Sequence, residues 1–182
     1  MRKLIVLLLV CALYGADVQI FMSPNEMEKE LIGLIEQEES GIQVAVYTFT
    51  NKRIAEALIK AQKKGVNVEV FIDPFSLKAG YAAKQLIDAD VNVYKYTPKE
   101  QKGWTPLCHH KFCIFDKQKA VWTGSYNFTY KAESTNRENA VLITSDDAAF
   151  KRYSEEFKVL KEGDSEQLKK SEKSTMMKSD GK

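Results

Sequence analysis

Short apolar runs alternate with amphipathic stretches along most of this chain, and this alternation restricts its fold more than any other feature. Residues 18–22, 42–48, 66–72 and 91–94 are apolar runs that predict strands. The segments between them repeat apolar residues at helical spacing, and Ser23 and either Thr50 or Asn51 stand where caps are expected. We therefore expect an α/β fold: a mixed, mainly parallel β-sheet with helices on both faces.

The two ends of the chain differ from this central part in composition. Residues 1–3 are Met-Arg-Lys and residues 4–16 carry no charge, a pattern typical of a secretory signal peptide and short for a bilayer span. We expect residues 1–16 to be a signal peptide or an N-terminal membrane anchor, and residues 17–162 to be one folded domain. Residues 163–182 are expected to be a polar, disordered tail. The protein is accordingly predicted to be exported, periplasmic or secreted, with membrane association if the N-terminal segment is retained.

The charge of the chain is balanced overall and uneven locally. The formal net charge is +2, and it falls to about zero without Arg2 and Lys3. A uniformly basic surface is therefore excluded. Residues 91–137, however, contain eight Lys or Arg against three Asp or Glu. We expect a positive potential there, which would attract polyanions.

Residues 109–129, with the sequence HHKFCIFDKQKAVWTGSYNFT, hold the densest set of reactive side chains. Residues 110–115 are apolar and β-prone, which predicts a strand. Because side chains alternate along a strand, His109 and Lys111 should share one face. The sequence thus predicts an imidazole beside an ammonium group.

A second strand is expected to return after this first one. Residues 117–119 are polar and predict a turn, residues 120–123 predict the strand, and Gly124 breaks it. The same alternation points Ser125 and Asn127 in one direction. The converging donors suit a phosphodiester, whose oxygens carry the charge and whose phosphorus accepts a nucleophile.

These residues follow nearly the spacing H-x-K-x4-D-x6-G-S-x-N, in the order His109, Lys111, Asp116, Gly124, Ser125 and Asn127. The pattern resembles the HKD signature of the phospholipase D superfamily. With one copy of the motif and Glu138 shortly after it, the chain is most similar to the small, single-motif, secreted or periplasmic bacterial endonucleases of that superfamily. Here seven residues, and not six, follow Asp116. We expect the extra one in the 117–119 turn, since within a strand it would turn Ser125 and Asn127 to the other face.

The resemblance implies a role for each residue. His109 would form a phosphohistidine, and because the chemistry uses two histidines, the second would come from another copy of the chain in a homodimer. Lys111, Ser125 and Asn127 would hold the phosphate oxygens, and Glu138 would accept a hydrogen bond from the imidazole and fix its tautomer. No metal or cofactor is expected, since cationic side chains neutralise the developing charge.

Three further residues are interpreted as structural. Asp116 stands at a strand end, where its carboxylate can accept backbone hydrogen bonds from the turn. Gly124 is the strand-breaking member of the motif. Asp73 follows another strand, where capping is the more common use of a carboxylate.

Five residues are candidates for substrate binding. Tyr47 and Phe49 stand where a strand ends, the usual edge for ligands in open α/β sheets, although packing would explain them equally well. Lys95, Lys102 and Trp104 belong to a basic segment just before the motif, and Trp104 could stack on a base or simply anchor a loop.

The cysteines near the motif invite two other interpretations. Cys108, His109, His110 and Cys113 could be imagined as zinc ligands, but adjacent strand residues point to opposite faces. A disulfide is disfavoured too, because five strand residues span about 16 Å whereas bridged Cα atoms lie about 5.5 Å apart. We expect two free thiols.

The substrate class stays open at this point. Nucleic acid, above all single-stranded DNA or DNA without sequence preference and possibly RNA, agrees with the small size, the basic region and the aromatic residues. A phospholipase or cardiolipin-type hydrolase is the alternative if the N-terminal segment stays in a membrane. A non-catalytic DNA-binding module in uptake is a third interpretation, in which His109 is dispensable.

Overall fold

Eight strands in one sheet and six helices form the part of the chain that the computed structural model describes, residues 15–24, 26–80 and 82–169. The strands are β1 (Asp17–Met22), β2 (Gly41–Val46), β3 (Asn67–Ile72), β4 (Asn92–Tyr96), β5 (Lys111–Phe115), β6 (Ala120–Gly124), β7 (Asn139–Thr144) and β8 (Ser165–Leu168). The helices are α1 (Met27–Gln37), α2 (Lys52–Lys63), α3 (Pro74–Ala79), α4 (Ala82–Asp88), α5 (Tyr130–Ser134) and α6 (Asp147–Glu162).

The chain ends lie largely outside this description. The predicted signal peptide or anchor falls almost wholly on residues 1–14, and the end of the predicted tail falls on residues 170–182. Within the described ranges, no helix combines the length and the hydrophobicity needed to cross a bilayer.

The sheet has the order β1-β7-β6-β5-β2-β3-β4-β8. Only β2–β3 and β3–β4 pair in parallel, and the other five neighbouring pairs are antiparallel. The mixed α/β architecture is confirmed. The expectation that most strand pairs are parallel is wrong. The reason is that β5 and β6 form a hairpin, which can only be antiparallel, and β1 and β8 add to the edges in antiparallel orientation.

Helices cover both faces of the sheet, as the alternating pattern predicts. On one face, α1, α2 and α4 bury a large core that includes Val44, Val70 and Trp122. On the other, α6 packs Phe157 against Phe112 and neighbouring strand residues. Because β2, β3 and β5 are buried on both sides, they form a rigid platform for whatever their ends carry.

Capping explains where several helices begin. The Asn51 side chain accepts hydrogen bonds from the amides of Arg53 and Ile54, so it caps α2 as expected. Ser23 does not cap α1. Its hydroxyl instead donates to Asn136 O and accepts from Glu138 N, both at 2.7 Å, and thereby ties the end of β1 to the segment before β7.

The folded domain extends beyond residue 162, which corrects the boundary expected from composition. Residues 165–168 form β8, which pairs antiparallel with β4. Glu166 in this strand accepts a salt bridge from Lys95 at 2.7 Å, and Leu168 packs against the core. A short polar segment can form a strand here because β4 offers it an unpaired edge.

The strand register gathers the motif at one side of the sheet. Val46 at the end of β2 lies opposite Lys111 at the start of β5, and Gly124 at the end of β6 lies opposite Ala140 in β7. We call this side, where β2, β3 and β6 end and β5 and β7 begin, the site edge. The opposite side, with Gly41 and the β5–β6 turn, is the far edge.

Candidate active site

His109 and Lys111 form the centre of the site edge. His109 precedes β5 and its side chain is exposed, whereas Lys111 is only 8% exposed. The Lys111 Nζ lies 3.1 Å from His109 Nδ1 and donates to His109 O at 2.6 Å. Burial lowers the pKa of Lys111, an effect that electrostatic interactions with the Cys108 and Glu138 side chains oppose. The imidazole and the ammonium group predicted to be neighbours are therefore in direct contact.

An aromatic row lies beside this pair. The Tyr47 ring centroid is 4.6 Å from that of His109, and the Lys111 Nζ lies 5.3 Å from the Tyr47 ring. Tyr47 also stacks on Phe75, with centroids 5.6 Å apart and planes inclined by 5°. Tyr47 thus lies at the site, as predicted, and Phe75 joins it from α3.

Ser125 and Glu138 form a second polar group at the same edge. The Ser125 hydroxyl donates to Glu138 Oε2 at 2.5 Å and accepts from the amide of Asn139 at 3.1 Å. Asn136 Nδ2 donates to the other carboxylate oxygen at 2.9 Å. The described hydrogen bonds of the Glu138 carboxylate thus come from Ser125 and Asn136, while the His109 Nδ1 faces Lys111. An orienting hydrogen bond from the imidazole to Glu138 stays a prediction.

Asn127 and Gly124 complete the motif at this edge. Asn127 Oδ1 accepts from the Thr48 amide at 3.1 Å, which leaves its side-chain nitrogen as a donor. Gly124 has a φ of 158°, and a Cβ there would lie 2.2 Å from Asn139 O. Only glycine lets β6 approach β7 this closely, and that approach brings Ser125 to Glu138.

Asp116 lies at the far edge, one strand length from His109. Its carboxylate accepts a hydrogen bond from Gln43 Nε2 at 3.0 Å and leaves no room for a side chain at Gly41. The turn amides are bound by another residue: Glu38 accepts from Lys117 N at 2.9 Å. Asp116 therefore does not belong to the reactive group, and it does not cap the turn.

The extra residue of the motif lies in this turn. Strands β5 and β6 pair without interruption from Phe112–Thr123 to Phe115–Ala120, so residues 116–119 form a four-residue connection. Lys119 takes a positive φ of 50° there. The register of Ser125 and Asn127 is consequently undisturbed, which confirms the placement expected from sequence.

The other four substrate-binding candidates differ in their exposure and in their partners. Phe49 is fully buried and packs edge-on against Phe128 at 5.4 Å, so the prediction of a substrate contact is wrong. Lys95 is paired with a glutamate of β8, as described above, and its charge is neutralised. Lys102 and Trp104 are exposed in the loop between β4 and His109. They stay candidates.

The basic segment of the sequence is divided between the two edges. Lys117 and Lys119 lie in the far turn, where Lys119 Nζ sits 4.3 Å from the Phe150 ring. Lys102 and Arg137 are exposed near the site edge, before His109 and Glu138 respectively. The positive potential inferred from composition is thus weaker at the site than the count of lysines implies.

Both described cysteines are free and buried. Burial raises the pKa of Cys108 to about 11, and burial likewise raises that of Cys113, so neither is a reactive thiolate at neutral pH. In the described ranges no three His, Cys, Asp or Glu side chains are grouped so as to hold a metal ion. The imagined zinc cluster is therefore not assembled by the fold.

Sequence reasoning missed three residues of this region: Phe75, Ser76 and Glu38. The Asp73-Pro74 pair at a strand end could have indicated the start of α3, because Asp often caps a helix and Pro often occupies its first turn. Asp73 does cap α3, accepting from Phe75 N at 2.9 Å, in agreement with its structural interpretation. Nothing local could have indicated that Glu38 binds a turn 79 residues away.

Comparisons with known proteins agree with this geometry. A family described as "Cardiolipin synthase, PLD-like domain" matches residues 31–161. The chain is 34% identical over 124 residues to a phospholipase D of Rickettsia prowazekii and 34% identical over 131 residues to a mitochondrial cardiolipin hydrolase of Xenopus tropicalis. These matches cover 68% and 71% of this chain, and 57% and 59% of the relatives.

Among solved structures, Nuc from Salmonella typhimurium, a phospholipase D family member, superposes with a TM-score of 0.73 at 26% identity. The match covers 85% of this chain and 99% of Nuc. The chain therefore spans little more than half the length of the two curated relatives and nearly the whole of this solved structure. With the family match over most of the chain and the histidine, lysine, serine and asparagine of the HKD motif at the site edge, this protein belongs to the phospholipase D superfamily, a superfamily of phosphodiesterases.

Proposed function

We propose that this protein is a metal-independent phosphodiesterase that cleaves DNA through a phosphohistidine intermediate in a homodimeric active site. The observation that carries the proposal is the exposed imidazole of His109 with a lysine Nζ 3.1 Å from its Nδ1, at an open sheet edge. Asn127, Ser125 and Glu138 supply further polar groups along that edge. A nucleophile beside fixed donors is what attack on a phosphodiester requires.

In the proposed reaction, His109 Nε2 bonds to phosphorus while the bond from phosphorus to the leaving oxygen breaks. The partner subunit's His109 gives its proton to that oxygen. The neutral imidazole so formed then takes a proton from water, whose oxygen attacks the phosphohistidine and releases His109. Two histidines are needed and one motif supplies one, which is why the proposed working unit is a dimer.

Lys111 has two tasks in this scheme. When its ammonium group donates to His109 Nδ1, the proton of a neutral imidazole lies on Nε2, so Nε2 has no free lone pair for attack on phosphorus. Attack by Nε2 needs the other tautomer, with the proton on Nδ1. A bound phosphate would draw Lys111 onto its oxygens and free Nδ1 to carry that proton. The lysine thereby couples the arrival of substrate to the activation of the nucleophile.

Single-stranded DNA, or DNA without sequence preference, is the proposed substrate. The site is an open edge with exposed aromatic side chains nearby, Phe75 at 48% and Trp104 at 60% exposure. Aromatic platforms beside cationic groups bind single strands with little sequence preference. The likeness of the motif arrangement to small single-motif bacterial endonucleases favours the same class, and export to the periplasm or medium is part of this proposal.

A lipid phosphodiester is the second candidate. Relatives named phospholipase D and mitochondrial cardiolipin hydrolase favour it. So does an apolar surface on β1, where Val18, Ile20 and Met22 are 50%, 67% and 56% exposed directly after the uncharged N-terminal run. This candidate includes membrane association through that run. A non-catalytic DNA-binding module is the third, and it requires no turnover.

One assay separates these functions. The purified chain is incubated with single-stranded DNA, duplex DNA, RNA and cardiolipin vesicles in parallel, each with and without EDTA. We expect cleavage of single-stranded DNA to be fastest and unaffected by EDTA, and light scattering to give twice the chain mass. Hydrolysis of cardiolipin alone, loss of activity in EDTA, or binding of DNA without turnover would each overturn the proposal.

A further inference from the structure

We propose that Phe75 forms a stacking subsite for the nucleobase next to the scissile phosphate. This inference rests on the proposed function and adds to it the group that recognises single strands. Phe75 lies outside the HKD motif, in α3, and its role follows from its position beside Tyr47.

The geometry is that of a platform with one free face. Phe75 lies nearly parallel to Tyr47, and Tyr47 in turn contacts the His109 ring at 4.6 Å. One face of Phe75 is thus covered by Tyr47, while 48% of its surface stays exposed. A flat ligand placed on the open face would continue a row that begins at the catalytic imidazole.

The platform is held in place by buried hydrogen bonds. Ser76 is fully buried, and its hydroxyl donates to Tyr47 O at 2.8 Å and accepts from Phe49 N at 3.0 Å. Asp73 accepts from Phe75 N at 2.9 Å and, with its other oxygen, from Cys108 N at 3.1 Å. Because Cys108 directly precedes His109, one carboxylate fixes both the platform and the nucleophile. Preorganisation of this kind favours binding because little freedom remains to be lost.

The spacing suits a nucleotide. Phe75 lies two ring contacts from His109, with centroid separations of 4.6 Å and 5.6 Å, and a base is attached to its phosphate through a single flexible sugar. A base in a duplex already stacks on its neighbours and presents no free face. The subsite would therefore accept unpaired bases only, without reading their hydrogen-bonding edges.

A nucleobase fits this surface better than an acyl chain does. An acyl chain needs a continuous apolar channel, whereas one of the two exposed neighbours of Phe75 on α3, Lys78 and Ala79, is a cation. Lys111 lies 5.3 Å from the Tyr47 ring in the same row. Alternating aromatic and cationic groups match the bases and phosphates of one strand.

The test combines protein variants with modified oligonucleotides. The substrate is a short single-stranded DNA in which one phosphodiester is cleavable and the others are methylphosphonates, made with a normal base or an abasic sugar on either side of the cleavable bond. The variants are Phe75→Ala, Phe75→Leu, which keeps the apolar volume without the flat ring, and Phe75→Trp, which keeps a ring. Trp104→Ala is the comparison, since Trp104 is an exposed aromatic in the neighbouring loop.

We expect Phe75→Ala and Phe75→Leu to lower kcat/KM on the normal substrate by about 5- to 100-fold, and Phe75→Trp to retain it. An abasic sugar on one side should lower the kcat/KM of the wild-type protein by the same factor. On that abasic substrate, the kcat/KM of Phe75→Ala should be no more than about twofold below that of the wild type. Thermal unfolding of each variant reports whether α3 stays folded.

Three outcomes would overturn the subsite while the proposed function stands. The first is full activity of Phe75→Leu, and the second is a kcat/KM for Phe75→Ala on the abasic substrate that is lowered by both factors multiplied together. The third is that Trp104→Ala, and not Phe75→Ala, loses no further activity on the abasic substrate. Failure of the wild-type protein to cleave any of the oligonucleotides would overturn the proposed function, and the subsite with it.

Discussion

The two ends of the β5–β6 hairpin both carry polar residues and use them in opposite ways. At the site edge, Lys111 contacts the exposed imidazole of His109. At the far edge, the buried Glu38 carboxylate accepts hydrogen bonds from several backbone amides, and Asp116 is bound by Gln43. Polar groups that already have protein partners stabilise the fold, whereas accessible groups with spare donors can act on a ligand.

This contrast separates the members of the HKD motif. Asp116 is named with His109 and Lys111 in the family signature, yet it lies at the other end of the strand. Its neighbours are a glutamine and a glycine that has no space for a side chain. The residues of the signature therefore lie at both ends of one hairpin, one end reactive and the other structural.

The largest expected effect is a difference in activity between variants of two adjacent histidines, whose side chains lie on opposite faces of the sheet. His109→Ala removes the nucleophile, so kcat should fall by at least about 1,000-fold. The matched control is His110→Ala: His110 Nε2 lies 3.2 Å from Glu156 and its ring packs on Phe112, towards α6. This control should keep its activity within about threefold and lose under about 1 kcal/mol of stability. Rates on the single-stranded substrate and thermal unfolding of both variants measure the contrast, and equal losses of activity would break it.

A smaller effect is expected on stability at the far edge. Glu38 is 3% exposed, and its Oε1 accepts from the amides of Ser40 and Lys117. Glu38→Gln should lower the free energy of unfolding by about 2 kcal/mol at neutral pH, because charged acceptors form the stronger bonds. Urea unfolding measures this, with the exposed neighbour Glu39→Gln as the control. The rate per folded molecule should be unchanged, and a catalytic defect would show that the two edges are coupled.

This stability should depend on pH. Burial raises the pKa of Glu38, but hydrogen bonds from the amides of Lys117, Ser40 and Gln118 outweigh it, so the pKa is lowered overall. A lowered pKa in the folded state gives stability that is present above the ordinary carboxyl range and is lost as the pH falls through the native value. The difference between wild type and Glu38→Gln should therefore shrink between neutral pH and about pH 3. A difference that grows on acidification would contradict the assignment.

The smallest effect is expected for Asp116→Asn. Burial is the main cause that raises the pKa of Asp116, so its charge at neutral pH is a cost that asparagine avoids while keeping an acceptor for Gln43. Stability should change by less than about 1 kcal/mol, and relative to wild type the variant should gain as the pH rises. Activity should stay within about twofold. A folded but inactive variant would show that Asp116 acts on the site edge through β5.

Much of the site was predictable because it depends on local rules. Alternation along two short strands and a turn between them fixes which residues of the HKD motif share a side, and the extra residue lies in the polar turn where it was expected. Helix starts at Asn51 and Asp146 follow from the hydrogen-bonding capacity of those side chains.

What the sequence by itself determined is therefore the hairpin, its reactive residues and the alternation of strands and helices. Only the tertiary structure decided which distant segments meet: β1 beside β7, β8 on the edge of β4, Glu38 on the turn, and Phe75 on the aromatic row that ends at His109. The physical reason is that periodicity along the chain fixes the direction of each side chain, whereas long-range pairing depends on how all the elements pack together at once.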